Sequence, residues 1–80
     1  TLKMFPAEML GPPVLKAWRA VLPEGTRLFS VGGIDAHNLA AFKAAGAAGV
    51  GVGSALYSPG LAPAEIERRA RALTQAWDAA

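Results

Sequence analysis

The 80 residues are enough for one small domain at most, and 52% hydrophobic with only 18% charged residues excludes a disordered chain and predicts a packed core. Eight basic and six acidic residues give a net charge of +2, and the basic residues are scattered rather than gathered on one face, so we expect no nucleic-acid binding. The lack of cysteine excludes a disulfide framework and thiolate chemistry and is compatible with a reducing compartment.

The first predicted unit is a strand over Thr1–Phe5, closed by Pro6 and followed by a helix. Gly11-Pro12-Pro13 offers the helix start, because proline is favoured at the first helical position, and Pro23 ends the helix. One face of this helix is apolar at helical spacing, and we expect it in the core: it consists of Val14, Trp18, Val21 and Leu22.

The second and third predicted strands, Arg27–Val31 and Gly49–Val52, both end at glycine. After the second strand, Asp35 stands where a helix N-cap belongs, and Gly46 is a natural end for that helix. The last predicted helix begins near Pro63 and carries one apolar stripe, made of Ile66, Ala70, Leu73 and Trp77.

This alternation of short strands and helices is typical of successive parallel βα units in an α/β fold. It fits a (β/α) barrel or an open doubly wound sheet, and both bury their strands on two faces. Three units cannot do so alone, and a complete barrel has eight units and roughly 200 residues or more. We therefore expect the chain to be the C-terminal part of a larger domain, with residues 1–80 supplying about three of its βα units, and to fold poorly in isolation.

Neither a targeting signal nor a membrane span is expected. No basic leader followed by an apolar segment opens the chain. The uncharged stretch 44–64 is long, but its glycines and prolines indicate strands and loops rather than a spanning helix.

Lys3 is the first candidate for chemistry, because it stands between Leu2 and Met4 in a predicted strand and shares a face with Phe5. A lysine that points into a barrel loses hydration, which favours the neutral amine that attacks a carbonyl carbon. Schiff-base chemistry is the functional interpretation. The alternative is a solvated lysine on a strand end.

The second candidate is a phosphate site formed by two glycine loops, Gly32-Gly33 and Gly51-Val52-Gly53-Ser54. Barrel enzymes often bind phosphate between the loops after their last two strands, on backbone N–H groups and the start of a short extra helix, for which Ser54 to Tyr57 is the candidate. Glycine lets the backbone approach the phosphate oxygens, and Ser54 adds a hydroxyl donor. The alternative is a pair of ordinary turns with a serine N-cap.

The remaining polar residues indicate less. His37 has no second histidine or cysteine beside it, so a solvated position is favoured over a metal ligand or a catalytic base. Glu8 follows a strand end, where catalytic groups gather, but a loop or capping role is the simpler assignment. We expect no metal site.

Three segments together resemble one family: Leu2-Lys3-Met4-Phe5-Pro6-Ala7-Glu8, Val31-Gly32-Gly33-Ile34, and Gly51-Val52-Gly53-Ser54-Ala55-Leu56-Tyr57. They are similar, in order, spacing and identity, to the C-terminal part of the class I aldolases that cleave 2-keto-3-deoxy-6-phospho sugar acids. The resemblance runs through nearly the whole chain. It implies a TIM barrel, a cytoplasmic enzyme of sugar-acid catabolism, a homotrimer, and a reaction that needs no cofactor or metal.

The resemblance also implies roles for single residues. Lys3 matches the Schiff-base lysine of the family, while Gly32, Gly33, Gly53 and Ser54 match its phosphate loops. Pro6 lines the same pocket by similarity. The expected ligands are a phosphorylated keto sugar acid and pyruvate. The family's general base and its carboxylate-binding arginine lie in the N-terminal half of the barrel, and Glu8 does not match that base.

Val31 suggests which sugar acid is cleaved. The gluconate-type branch of the family typically has threonine at this position, whereas valine resembles the galactonate-type branch, as do Leu56-Tyr57 and Ser58-Pro59-Gly60. A threonine could hydrogen-bond the hydroxyl that distinguishes the two substrates, and valine cannot. Two alternatives remain open: another phosphate-binding barrel synthase, which would not need Lys3, and a fragment that lacks catalytic activity.

Overall fold

The computed structural model describes all of residues 1–80 and contains three strands and four helices. In chain order they are β1 (Leu2–Met4), α1 (Ala7–Leu10), α2 (Pro12–Val21), β2 (Leu28–Val31), α3 (Leu39–Ala44), β3 (Gly49–Gly51) and α4 (Pro63–Ala79).

The three strands form one parallel sheet in the order β1-β2-β3. In its register, Lys3 pairs with Phe29, and Val31 pairs with Gly51. This confirms the predicted succession of parallel βα units, with each strand one or two residues shorter than expected. Because the strands are parallel, the loops after β1, β2 and β3 leave the sheet at the same edge.

The core lies between one face of the sheet and the helices. Met4 and Leu28 contribute buried side chains from the strands, Leu15 from α2, and Leu39 and Phe42 from α3. Alternation along a strand sends neighbouring side chains to opposite faces, so Lys3, Phe29 and Val31 share the other face of the sheet. Lys3 is exposed there, and Phe29 and Val31 are half-buried.

The predicted apolar stripe of α2 is only partly correct. Leu15 is the buried residue of this helix, while Trp18 is 36% exposed and Val21 is 82% exposed. Val14 and Leu22, both in the predicted stripe, do pack against the core, and Leu15, which the stripe left out, lies seven residues before Leu22 on the same face. Trp77 of α4 does pack against the core, as expected.

Two local predictions also need correction. Residues Ser54 to Tyr57 do not form a short helix; they form a single turn in which the N–H groups of Leu56 and Tyr57 both donate to the Gly53 carbonyl. The helix predicted from Asp35 begins at Leu39, because the Asp35 side chain caps a preceding turn. No helix of the chain has the length and apolarity to cross a membrane.

Candidate active site

The two glycine loops lie next to each other at the carboxyl edge of the sheet. Gly32 directly follows β2, and Gly53 follows β3, and these strands are hydrogen-bonded neighbours. Pro6 reaches the same place from β1: a Cβ built on Gly32 would stand 3.1 Å from the Pro6 Cα and 3.0 Å from the Phe5 ring. The fold therefore brings the predicted pocket residue and both predicted loops to one edge.

Backbone amides at this edge are free to bind a ligand. The N–H groups of Gly32, Gly33, Gly53 and Ser54 donate no hydrogen bond within the chain. The carbonyls of the same loops are engaged: Gly32 O accepts from the Glu8 N–H at 3.0 Å, and Gly53 O accepts from the Tyr57 N–H at 2.9 Å. Donors without partners beside engaged acceptors form a surface suited to an anion.

A short hydrogen-bond network fixes the Gly32-Gly33 turn. The Asn38 side-chain amide donates to Gly33 O at 2.8 Å and its oxygen accepts from the Asp35 N–H at 2.9 Å. The Asp35 carboxylate accepts in turn from the N–H groups of His37 and Asn38, at 2.8 and 2.9 Å. The sequence interpretation missed Asn38, although an Asp with an Asn three residues later is a recognisable turn signal. The side chain of His37 is exposed, in line with the solvated position expected for it.

The fold requires glycine in one of the two loops but not in the other. Gly33 has φ +70°, and a Cβ there would collide with the Glu8 side chain, whose carboxyl carbon would stand 2.8 Å away. Gly53 has no positive φ and nothing within 4 Å of a built Cβ. The fold of the chain thus demands glycine at position 33 but not at position 53.

Two further glycines, within β3, make room on the face that carries Lys3. A Cβ on Gly49 would stand 2.6 Å from the Phe29 ring, and one on Gly51 would stand 2.9 Å from a methyl group of Val31. Glycine in a strand often marks such a close approach. The sequence interpretation assigned no packing role to either residue.

Lys3 projects from β1 on the same face of the sheet as Val31 of the neighbouring strand β2. Val31 lies two residues after Phe29, the residue with which Lys3 pairs. Both residues stand before the carboxyl edge where the free amides lie. This face gives a ligand that is held at those amides by one end room to extend toward Val31 and Lys3. The arrangement can bind an anionic group at one end of a molecule and present an amine to its other end.

The arginines of α4 form ion pairs with glutamates of the same helix. Arg68 and Arg69 line a cleft of about 330 Å³ together with Asp35 and Ala55, but both guanidinium groups donate to Glu65, at 2.7 to 2.9 Å. These hydrogen bonds lower the pKa of Glu65 to about 2. Nowhere in the chain do three or more histidine, cysteine, aspartate or glutamate side chains lie close enough together to hold a metal ion.

The chain is similar in sequence to two curated proteins that carry the same enzyme name. The chain is 44% identical over 78 residues to a Rhizobium meliloti (strain 1021) protein named "Probable 2-dehydro-3-deoxy-6-phosphogalactonate aldolase". It is 42% identical over 76 residues to the 2-dehydro-3-deoxy-6-phosphogalactonate aldolase of Escherichia coli (strain K12). These alignments cover 98% and 95% of the chain but 37% of each relative, so the chain spans little more than a third of their length. No family model matches the chain.

Solved structures agree with the sequence relatives. The chain superposes with a TM-score of 0.96 and 40% identity on a structure described as "Native KDPGal structure", with 99% of the chain and 38% of that structure covered. A designed cube-shaped protein cage made by fusing symmetric oligomeric domains also matches, with a TM-score of 0.93 and 40% identity over 96% of the chain and 28% of the cage chain. By sequence and by fold, the chain is similar to the 2-dehydro-3-deoxy-6-phosphogalactonate aldolases, over somewhat more than a third of their length.

Proposed function

We propose that the chain belongs to a class I aldolase that cleaves 2-keto-3-deoxy-6-phosphogalactonate to pyruvate and glyceraldehyde 3-phosphate. This compound and the 2-dehydro-3-deoxy-6-phosphogalactonate in the relatives' names are the same substance. The observation that carries the proposal is the cluster of free backbone amides at the ends of β2 and β3, on a sheet whose open face presents Lys3. The relatives' names favour an aldolase over another phosphate-binding synthase.

In this proposal Lys3 is the nucleophile. Its neutral amine adds to the keto carbon of the substrate, and loss of water gives an imine. The protonated imine accepts the electron pair when the bond between carbons 3 and 4 breaks, while a base removes the proton from the hydroxyl on carbon 4. Glyceraldehyde 3-phosphate leaves, the resulting enamine is protonated, and hydrolysis releases pyruvate and restores Lys3. The chemistry uses no metal or cofactor.

The phosphate is held by backbone donors rather than by a basic side chain. Gly32, Gly33 and Gly53 offer N–H groups that have no partner within the chain, and Ser54 adds its own N–H and a hydroxyl. Pro6 borders the pocket beside Gly32. We call these five residues the phosphate cup.

Val31 stands between the phosphate cup and Lys3 and, in our proposal, governs the choice between sugar acids. Its apolar side chain offers no hydrogen bond to the hydroxyl on carbon 4, so the enzyme accepts the galactonate compound and tolerates its gluconate epimer.

The whole protein is, in this proposal, a TIM barrel of which residues 1–80 supply the C-terminal part, with the general base and the carboxylate-binding arginine on the remaining barrel strands. The match to a cage built from symmetric oligomeric domains supports an oligomeric assembly, which we take to be a homotrimer in the cytoplasm. Both carboxylate binding and proton transfer then depend on residues outside this chain.

Kinetics of the intact protein test the proposed role of Lys3. Lys3→Ala removes the covalent step, so kcat for aldol cleavage should fall by several orders of magnitude with little change in substrate binding. Lys16→Ala is the matched control, since Lys16 is an exposed lysine of α2 and should leave kcat unchanged. Retained turnover in Lys3→Ala would contradict the proposal.

Substrate preference tests the assignment of Val31. The intact protein should show a higher kcat/KM for the galactonate compound than for its gluconate epimer. Val31→Thr should shift the ratio toward the gluconate compound by about tenfold, the effect of roughly one hydrogen bond. A wild-type preference for gluconate would show that Val31 does not govern the choice.

A further inference from the structure

Glu8 places a carboxylate against the phosphate cup. Its N–H donates to Gly32 O at 3.0 Å, which ties the first turn of α1 to the loop after β2. Its side chain folds over Gly33 so closely that a Cβ on Gly33 would overlap it. The carboxylate therefore lies beside Gly33, the residue whose N–H the proposed function assigns to the substrate phosphate.

This carboxylate has no cation to neutralise it. The three ion pairs of the chain all lie on α4, where Glu65 and Glu67 bind Arg68, Arg69 and Arg71. Glu8 itself is exposed. A fixed negative charge next to an anion site opposes the binding of a phosphate dianion, and the repulsion is moderate because water screens an exposed group.

We infer that Glu8 is a specificity-determining residue that weakens the binding of phosphate in the cup and thereby limits retention of phosphorylated product and of free inorganic phosphate. The inference rests on the proposed function, because it takes the Gly32-Gly33 turn as part of the phosphate site. It assigns Glu8 an electrostatic role and no part in proton transfer.

The test compares Glu8→Gln with wild type in the intact protein. Glutamine keeps the shape that packs on Gly33 and removes the charge. We expect the KM for 2-keto-3-deoxy-6-phosphogalactonate and the inhibition constant of inorganic phosphate both to fall severalfold. The kcat/KM for the same sugar acid without its phosphate should not change. The advantage of the variant should shrink as salt concentration rises, because salt screens the repulsion that the variant lacks.

Glu24→Gln is the matched control, since Glu24 is an exposed glutamate in the turn before β2, away from the carboxyl edge. It should leave both constants unchanged. An unchanged or raised KM in Glu8→Gln would overturn the inference, and a raised KM would indicate that the carboxylate instead accepts a hydrogen bond from the substrate.

A second pair of variants separates this inference from the proposed function. Ser54→Ala and Gly53→Ala alter the cup without touching Glu8. If Ser54→Ala and Gly53→Ala raise the KM for the phosphorylated substrate while Glu8→Gln does not lower it, the assignment of the phosphate cup is supported and the role proposed for Glu8 is wrong. If none of the three variants changes the KM, the phosphate lies elsewhere and both proposals are wrong.

Discussion

The hydroxyl of Ser30 is fully buried in the middle of β2 and has no hydrogen-bond partner. It faces the helices, since it alternates with Phe29 and Val31 and lies on the face of Leu28. A buried hydroxyl without a partner costs about 1–3 kcal/mol. Its burial therefore weakens the core without serving the proposed site, which lies on the opposite face.

Ser30→Ala should raise the free energy of unfolding of the intact protein by about 1 kcal/mol, measured by urea denaturation. The methyl group stays in the core and only the unpaired oxygen is lost. Ser58→Ala, a half-buried serine outside the core, should change the same quantity by less than about 0.5 kcal/mol. A loss of stability in Ser30→Ala would mean that the hydroxyl has a partner in the intact protein.

Gly53 offers the cleanest test of the phosphate cup at the scale of one residue. Because nothing lies within 4 Å of its built Cβ and its φ is not positive, Gly53→Ala should leave the melting temperature unchanged. The added methyl group would meet the phosphate, so KM for the phosphorylated substrate should rise by about tenfold or more. An unchanged KM would show that the phosphate does not bind beside Gly53 at the end of β3.

Gly33→Val, the more obvious substitution, is a poorer test of the same idea. Its effect on KM is expected as well, but the positive φ of Gly33 and the overlap with Glu8 would also strain the turn. A rise in KM would then have two causes.

At the scale of elements, α3 and α4 are joined by one side chain. The Lys43 ammonium donates to the Trp77 carbonyl at 2.7 Å and lies 4.8 Å from the centre of the Trp77 ring. It thus adds a positive charge at the C-terminal end of α4, where the helix dipole favours one, and a cation–π contact.

Lys43→Met keeps the apolar stem and removes the charge. We expect the free energy of unfolding to fall by about 1 kcal/mol, in the range of the two interactions lost. Lys16→Met, on the exposed face of α2, serves as the control and should have little effect. Equal changes in the two variants would show that the ammonium of Lys43 does not hold α4.

The sequence predicted the order of the strands and longer helices, but not the short helix α1 or the face of α2 that packs against the core. Turn residues such as Pro6 and Gly32 mark the strand ends. Parallel pairing of the strands follows from the alternation of strands and helices along the chain. The short α1 was missed because four residues give no periodicity to read. Trp18 was placed in the core because single-helix spacing cannot tell which of two adjacent apolar faces the sheet covers.

The candidate site was predictable to the extent that it depends on strand ends. Parallel strands bring Gly32-Gly33 and Gly53-Ser54 to one edge whatever the side chains do. The Asn38 turn was missed although Asp35 and Asn38 signal it locally. The contact of Glu8 with Gly33 was not predictable, since it depends on the tertiary approach of two separate loops and does not follow from spacing along the chain.

At the scale of the whole molecule, the sheet has one face covered by helices and one face open. Leu2 is 47% exposed and Phe5 is 64% exposed, and the outer edges of β1 and β3 have no partner strand among residues 1–80. Exposed apolar residues and free strand edges favour association with further structure. In our account, the remaining strands of a barrel supply it and enclose Lys3.

The most direct test of this account is to trap the imine that Lys3 is proposed to form. The intact protein is incubated with pyruvate and sodium borohydride, which reduces an imine to a stable amine, and the adduct is mapped by peptide mass spectrometry. The account predicts one modified lysine, Lys3, and no adduct in Lys3→Ala. An adduct on Lys16 or Lys43, or none at all, would contradict the assignment of this chain to Schiff-base chemistry.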